Sequence, residues 1–348
     1  MDFQLPPSLW PALNRIAGNA QWPPGDQAGV SRFMQCAAAE GLIPLLLTDG
    51  DAPQMILEAA NRFKAIDAAG QLRVRVFEQA LRATLDANEG ERIAVMKGAD
   101  YTYRLYPSPH LRPQQDIDVL VAFERAEEIA MRMRAAGYRR QFPSGPVGRL
   151  RSYHEAVFTV GSAIVEVHHS FVQRVRHSVD YDGVWTRAIK LERFGRTLYR
   201  LDDVDAIVCH AISMNTDQFA TAMFRYIDLW LMLRGNDAIL PAAVSRARQW
   251  AASRALFGAL RQTSRYFPEF STPAVERAMA DLLSPRPRAF VDRKVLPDPW
   301  AARGLHGRRG QLWKKLWLID TWSRRLRFAA YHVYAIIAGR LLAVRDPT

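Results

Sequence analysis

At 348 residues, 49% hydrophobic and 24% charged, the chain can bury one large core or two modest ones and has the composition of a folded soluble protein. Its two cysteines, Cys36 and Cys209, exclude a disulfide framework and a zinc finger. Together with an N-terminus that lacks a basic start and an apolar run, they lead to an expected cytoplasmic location. The net charge of +12 suits nucleic-acid binding until it is located: residues 286–348 hold fourteen Lys/Arg and four Asp, a surplus of ten, so the basicity is a property of the C-terminal segment.

In chain order, residues 1–50 mix short apolar stretches with turn signals such as Trp22-Pro23-Pro24-Gly25-Asp26. Over 52–88, Met55, Ile56, Ala59, Phe63 and Ile66, then Val74, Phe77, Leu81 and Leu85, recur at helical spacing. Residues 93–96 read as a buried strand closed by a Lys97-Gly98 turn, 99–106 as a short helix stopped by Pro107 and Pro109, and 116–121 as the next strand. Residues 124–136 read as a helix with Gly137 at its C-terminal cap, and 154–160 and 164–171 as strands joined by Gly161-Ser162. Beyond Leu201 the pattern is helical, over 206–213, 219–233, 242–260 and 273–283. The Pro-, Gly- and Arg-rich stretch 284–310 reads as a linker or irregular arm, and 311–344 as helix again. The expected fold class is α/β (α+β). An N-terminal helical region (1–90) precedes a small mixed-sheet core (91–200), a helical domain (201–283) and a basic arm with a C-terminal amphipathic helix (284–348).

Alternate side chains of a strand share a face, so Asp116 and Asp118 point the same way while Ile117, Val119 and Val121 face a core. Adjacent carboxylates repel unless a cation lies between them. A pair of magnesium ions about 3.5–4 Å apart is the usual resolution where nucleotidyl groups are transferred. In Ile164-Val165-Glu166-Val167-His168, Glu166 and His168 share one face and the valines the other, so Glu166 supplies a third acid at the matching phase. A lone Asp-x-Asp is weak, because solvated strand faces often carry alternating acids. The strand–Gly turn upstream and the in-phase glutamate downstream raise it to a candidate metal centre.

The motifs Lys97-Gly98-Ala99, Leu105-Tyr106-Pro107-x-Pro109-x-Leu111-Arg112-Pro113-x-x-Asp116-Ile117-Asp118-Val119-Leu120-Val121, Gly137-Tyr138 and Val165-Glu166-Val167-His168 closely resemble a family of uncharacterised bacterial nucleotidyltransferases within the DNA-polymerase-beta-like superfamily. The resemblance spans roughly residues 30–270. It implies a nucleotidyltransferase α/β core followed by a helical domain, an NTP donor (ATP is expected), two Mg²⁺ ions and release of pyrophosphate. By the same resemblance Asp116 and Asp118 are the metal-binding pair, and Glu166 is the third carboxylate, as general base or orienter of the acceptor oxygen. Gly98 lets backbone amides approach the triphosphate, and Arg112 neutralises charge on the leaving pyrophosphate. Two departures stand out: Ala99 follows the loop glycine in place of Gly or Ser, and His169 replaces a tryptophan, which puts the acceptor side in question.

Other features carry two readings. Lys97 either touches phosphate or is a solvated strand-end lysine, and His168 either contacts the acceptor or a bound water or is held by a structural hydrogen bond. His154, His168, His169 and His177 lack zinc-site spacing. Arg225 and Asp228, in an otherwise apolar helix, are expected to pair with each other or with another partner and to tie the helical domain to the core, with a nucleotide or acceptor contact as the other reading, and His210 has the same ambiguity. In the tail, Trp313, Leu316, Trp317 and Trp322 alternate with Lys314, Lys315, Arg324, Arg325 and Arg327, and the apolar run 328–338 that follows is too short to span a bilayer. That pattern suits a membrane-surface or anionic contact through 311–345. It also suits a terminal helix docking its apolar stripe on the bundle, which is the favoured expectation.

The expected activity is transfer of NMP, with AMP the first choice, to a hydroxyl or phosphate oxygen of an unidentified acceptor. A small molecule or a peptide is favoured over RNA, since relatives accompany natural-product clusters including those for lasso peptides. The alternatives are an RNA- or tRNA-modifying toxin-like nucleotidyltransferase and a catalytically degenerate binding module.

Overall fold

The computed structural model describes residues 3–141, 154–172, 174–300 and 312–343. Its strands are β1 (Ala94–Val95), β2 (Ile117–Leu120), β3 (Arg139–Arg140), β4 (Glu155–Val160), β5 (Ala163–His168), β6 (Ile189–Arg193) and β7 (Arg196–Arg200). They form one mixed sheet in the order β3-β4-β5-β2-β1-β7-β6. Near its centre β2 runs parallel to β5 and antiparallel to β1.

The two faces of this sheet meet different partners, as the alternation of side chains requires. Ile117, Val119, Val165 and Val167 face a core completed by Phe77, Leu81 and Leu85 of the helix Lys64–Ala87 and by Ile129 and Met133 of the helix Ala126–Ala135. That second helix ends as expected at Gly137, whose φ of +89° suits glycine; its N–H donates to Arg134 O, and the Tyr138 N–H donates to Met133 O. On the opposite face Ala94, Met96 and Leu120 join a second, larger core. This core unites Leu9, Leu13, Phe33 and Leu46 from the start of the chain with the helices Asp203–Thr216, Met223–Leu233, Leu240–Gln249, Ser253–Tyr266 and Pro273–Leu282. Segments some two hundred residues apart therefore share one apolar interior, at roughly 1.5–3 kcal/mol for each fully buried large side chain.

Several expectations need correction. The single helix expected over 242–260 is two helices, broken at Ala251, which sits at φ +52°. The break lets the buried Trp250 ring pack at 5.7 Å from Phe171, and the next helix is capped from far away, since Asp320 accepts from the Ser253 and Arg254 amides at 2.7 and 2.9 Å. Alanine carries no turn signal, so periodicity runs straight through the break. The expected linker is partly ordered: Pro285–Phe290 is helical, and the π-helical turn Val291–Val295 buries Val291 and Val295. Residues 301–310 of that stretch lie outside the described residues. The hairpin β6–β7 was not expected. It turns at Phe194-Gly195, both with positive φ, where Asn-Gly or Asp-Gly is the usual signal.

The C-terminal stretch is also divided, into Leu312–Trp317 and Trp322–Ala343. Its intervening residues dock on the helical body: Leu318 and Ile319 are buried, Asn215 Nδ2 donates to Leu318 O at 3.2 Å, and Arg325 Nε donates to Ile319 O at 3.0 Å. Docking occurs as expected, but only part of the apolar surface is used for it. Phe328 and Arg325 turn inward, whereas Trp322, Leu326, Val333, Tyr334 and Ile337 are exposed. Among the described residues no helix is long and apolar enough to cross a membrane.

Candidate active site

The pairing of β2 with β5 sets Asp118 opposite Glu166 and Leu120 opposite His168. Because Ile117, Val119, Val165 and Val167 fill the core beneath, the polar set must emerge on the other face, toward the helical body. Asp118 Oδ1 accepts from His168 Nε2 at 2.8 Å, and the same Nε2 lies 3.3 Å from Glu166 Oε2. Ligand atoms of Asp118, Glu166 and His168 all lie within 4.8 Å of one another, an arrangement able to hold a metal ion. Asp116 is half-buried, two residues before Asp118 and one before the start of β2, within range of the charges of Asp118 and Glu166.

Lys97 completes the cluster. It stands where β1 gives way to the helix Lys97–Arg104, with φ of +46°, a left-handed conformation that costs a non-glycine residue roughly 1–2 kcal/mol. From there Nζ reaches Asp118 Oδ1 at 2.6 Å, with 19% of the side chain exposed. A strained backbone aiming a cation at a carboxylate marks a turn held in place by its surroundings. Gly98, next in line, is buried at a position where a Cβ would lie 2.8 Å from Arg112 Nη1. Its glycine is required by that close approach, and no left-handed φ is involved.

The electrostatics follow from this crowding. Burial raises the Asp116 carboxyl, and the charges of Asp118 and Glu166 add to the effect, lifting it to about 7. Burial acts in the same direction on Asp118, but Lys97 and the His168 hydrogen bond outweigh it and hold that carboxyl well below the usual range. For His168, burial and the Lys97 charge oppose protonation, and the carboxylates of Asp118 and Glu166 overcome both, raising it to about 9. Burial lowers Lys97 as well, yet the attraction of Asp118 leaves it above an ordinary lysine. Two cations thus converge on one oxygen of Asp118, while Asp116 is left among like charges.

Residue by residue, the expected set divides. Asp118, Glu166 and Lys97 come together, with Gly98 next to Lys97 and Asp116 within range of their charges. Arg112 is 6% exposed and committed elsewhere: Nε and Nη2 donate to Asp228 at 2.8–3.1 Å, and Tyr106 Oη donates to the same carboxylate at 2.8 Å. Asp228 therefore pairs with Arg112, across 116 positions of chain, and ties the helical half to the sheet. Arg225 instead bonds Asp217 and Thr221 at 2.5 and 2.9 Å. His210 Nε2 donates to Arg225 O at 2.7 Å, a structural bond. Among the four histidines weighed for zinc, His154 and His168 converge with Glu155, and His177 Nδ1 donates to Ala251 O at 3.0 Å.

Glu155 is the site residue that sequence reasoning missed. It is paired with His168 in the β4–β5 hairpin, with Oε2 3.3 Å from His168 Nδ1 and 3.0 Å from His154 Nε2. Burial raises its carboxyl, but the two imidazoles prevail and hold it at about 2. His168 thereby hydrogen-bonds Asp118 through Nε2, with Glu166 and Glu155 as charged neighbours at 3.3 Å on its two sides. No curated protein and no solved structure matches the chain. The family model described as an uncharacterised nucleotidyltransferase matches residues 26–268, more than two thirds of the chain and all of this site, and the chain belongs to that family.

Proposed function

We propose that this protein transfers a nucleoside monophosphate, AMP by first choice, from an NTP to an oxygen of a small-molecule or peptide acceptor. One observation carries the reading. Asp118 and Glu166 are register partners on neighbouring parallel strands, and the carboxyl of Asp116, two residues upstream, feels both of their charges. Hard carboxylate oxygens are the donor set that Mg²⁺ prefers, and a carboxyl lifted to about 7 by burial and by the charges of Asp118 and Glu166 is one that a cation would relieve. Asp116, Asp118 and Glu166 would hold the metal, which would supply charge neutralisation at the phosphates and at the attacking oxygen.

The chain's own groups account for the remaining steps. Lys97 occupies the place of a cation on Asp118 and, being partly exposed, can swing to the phosphates of a bound nucleotide. The first-turn amides at Gly98 and the helix behind them favour an anion there. In-line attack by the acceptor oxygen forms the new bond to the α-phosphorus and breaks the bond to the bridging oxygen, so pyrophosphate leaves. Glu166 takes the acceptor's proton at Oε2, and His168, held by Glu155 and Asp118, fixes that carboxylate in place. Placement on the cytoplasmic side is part of the same proposal.

The test incubates the full chain with each α-labelled NTP, Mg²⁺ and fractionated cell extract, with Asp116→Ala/Asp118→Ala as control. Label moving into small-molecule or peptide fractions, lost with EDTA and in the control, supports the reading. Label moving into RNA would turn it to the RNA-modifying alternative. No metal-dependent transfer from any of the four NTPs would sink it.

A further inference from the structure

The helix Trp322–Ala343 docks with only one side and leaves large apolar side chains uncovered on the other. The inward side carries Arg325, buried and lying 4.6 and 4.9 Å over the Trp317 and Trp322 rings, together with buried Phe328. Arg324 Nη1 is spent on His177 O at 2.8 Å. The outward side carries Trp322, Leu326, Val333, Tyr334 and Ile337, each 52–67% exposed. At 100° per residue these five fall within about 120° of the circumference, one continuous stripe. The exposed patch is on the order of 500 Å², toward the upper end of what a monomer leaves uncovered. A surface helix normally leaves few large apolar side chains facing outward, which makes this face a candidate docking surface.

We propose that the occupant is an anionic lipid surface, with the helix lying in the membrane plane. Charge complementarity points there: residues 286–348 carry fourteen Lys/Arg against four Asp, and Arg293, Lys294 and Arg327 are exposed on the same segment. Aromatic residues on the stripe, Trp322 and Tyr334, with half-exposed Trp313 on the preceding helix, are the types that settle at the headgroup level. The helix is not apolar enough to cross. A second copy would bring the same basic segment against itself, which like-charge repulsion opposes.

The experiment is flotation of the full chain with vesicles of phosphatidylcholine alone or with about one third phosphatidylglycerol. Anionic vesicles should carry at least about tenfold more protein than neutral ones, and that excess should collapse at about 0.5 M salt. Leu326→Glu/Ile337→Glu should bind about tenfold less or weaker still, with an unchanged thermal melt because both positions are exposed. Absence of binding to anionic vesicles, or a variant that floats like the parent, would overturn the proposal. So would a wild-type dimer in sedimentation that the variant dissolves, which would make the face a self-interface. Equal binding of parent and variant to vesicles and to polyglutamate would reassign the segment to an acidic protein partner.

Discussion

Asp228→Ala probes the link between the two halves of the molecule. Asp228 is fully buried, and its carboxylate accepts three Arg112 contacts at 2.8–3.1 Å and the Tyr106 hydroxyl at 2.8 Å. Deleting it strands a buried guanidinium, which costs about 3–5 kcal/mol. The orphaned phenol adds about 1–3 kcal/mol where water cannot reach it. Against a total stability of about 5–15 kcal/mol this is a large loss. Arg112→Met strands the carboxylate in turn and should cost a similar about 3–5 kcal/mol. The double variant Arg112→Met/Asp228→Leu removes both charges and refills the volume, so it should lie within about 1–2 kcal/mol of wild type. With Asp228→Leu as the matching single variant, the cycle then returns a coupling of at least about 3 kcal/mol. The assay is urea unfolding at pH 7.5, followed by tryptophan fluorescence and far-ultraviolet circular dichroism, with coincident transitions as the two-state check. Additive single effects, or an Asp228→Ala loss below about 1 kcal/mol, would refute the buried-pair reasoning.

Three further predictions follow from the site and its surroundings. Asp116→Asn should reduce metal-dependent transfer by about 100-fold or more. It should also stabilise the metal-free protein: the Asp116 carboxyl sits at about 7 in the fold against an ordinary 3.8, so wild type loses stability as pH rises from about 4 to 7. The gain in urea unfolding should grow from near zero at pH 4 to on the order of 2–4 kcal/mol at pH 8, and a gain independent of pH would contradict the crowding argument. Gly98→Ala puts a Cβ 2.8 Å from Arg112 Nη1 and should cost about 1–3 kcal/mol by overpacking, a penalty that Arg112→Met in the same chain should relieve. His177 and His210 are held neutral, at about 3 and about 4, by burial and by nearby arginines. Their folded values lie below the ordinary 6.5, so stability falls as pH drops beneath about 6.5, by about 2 kcal/mol per histidine at pH 5. Urea midpoints at pH 7 and 5 measure this, and a His210→Gln variant with the same pH dependence as wild type would exclude His210 as a source.

Much of the site was legible because strand periodicity is unforgiving. Once Ile117, Val119, Val165 and Val167 are assigned to a core, Asp116, Asp118, Glu166 and His168 have only the other face available. Even Glu155 was within reach. A two-residue Gly161-Ser162 turn forces Val160 opposite Ala163, and counting back along the hairpin sets Glu155 opposite His168. What local pattern cannot supply is pairing at long range. Nothing near Asp228 in sequence identifies Arg112 as its partner, and nothing at Ser253 announces a cap from Asp320. The helix break at Ala251 and the turn at Phe194-Gly195 were hidden for a different reason, since Ala251 and Phe194 sit at positive φ although neither residue type prefers it.

Arg112 shows how magnitudes separate two roles for one residue. Contact with a leaving pyrophosphate requires its guanidinium to turn from Asp228, abandoning a fully buried carboxylate at about 3–5 kcal/mol. A new charge-assisted bond to phosphate returns about 1.5–3 kcal/mol, which does not cover that loss. The cheaper arrangement leaves Arg112 where it is, with Nη1 pressed beneath Gly98 and donating to Pro113 O at 3.3 Å. In that position it supports the turn that holds Lys97 at φ +46° and aims its Nζ at Asp118. Under the proposed nucleotidyl transfer, an arginine ahead of the Asp pair would then serve phosphate binding indirectly, by fixing the backbone at Gly98, and Asp228 on the helical half would be part of the same device.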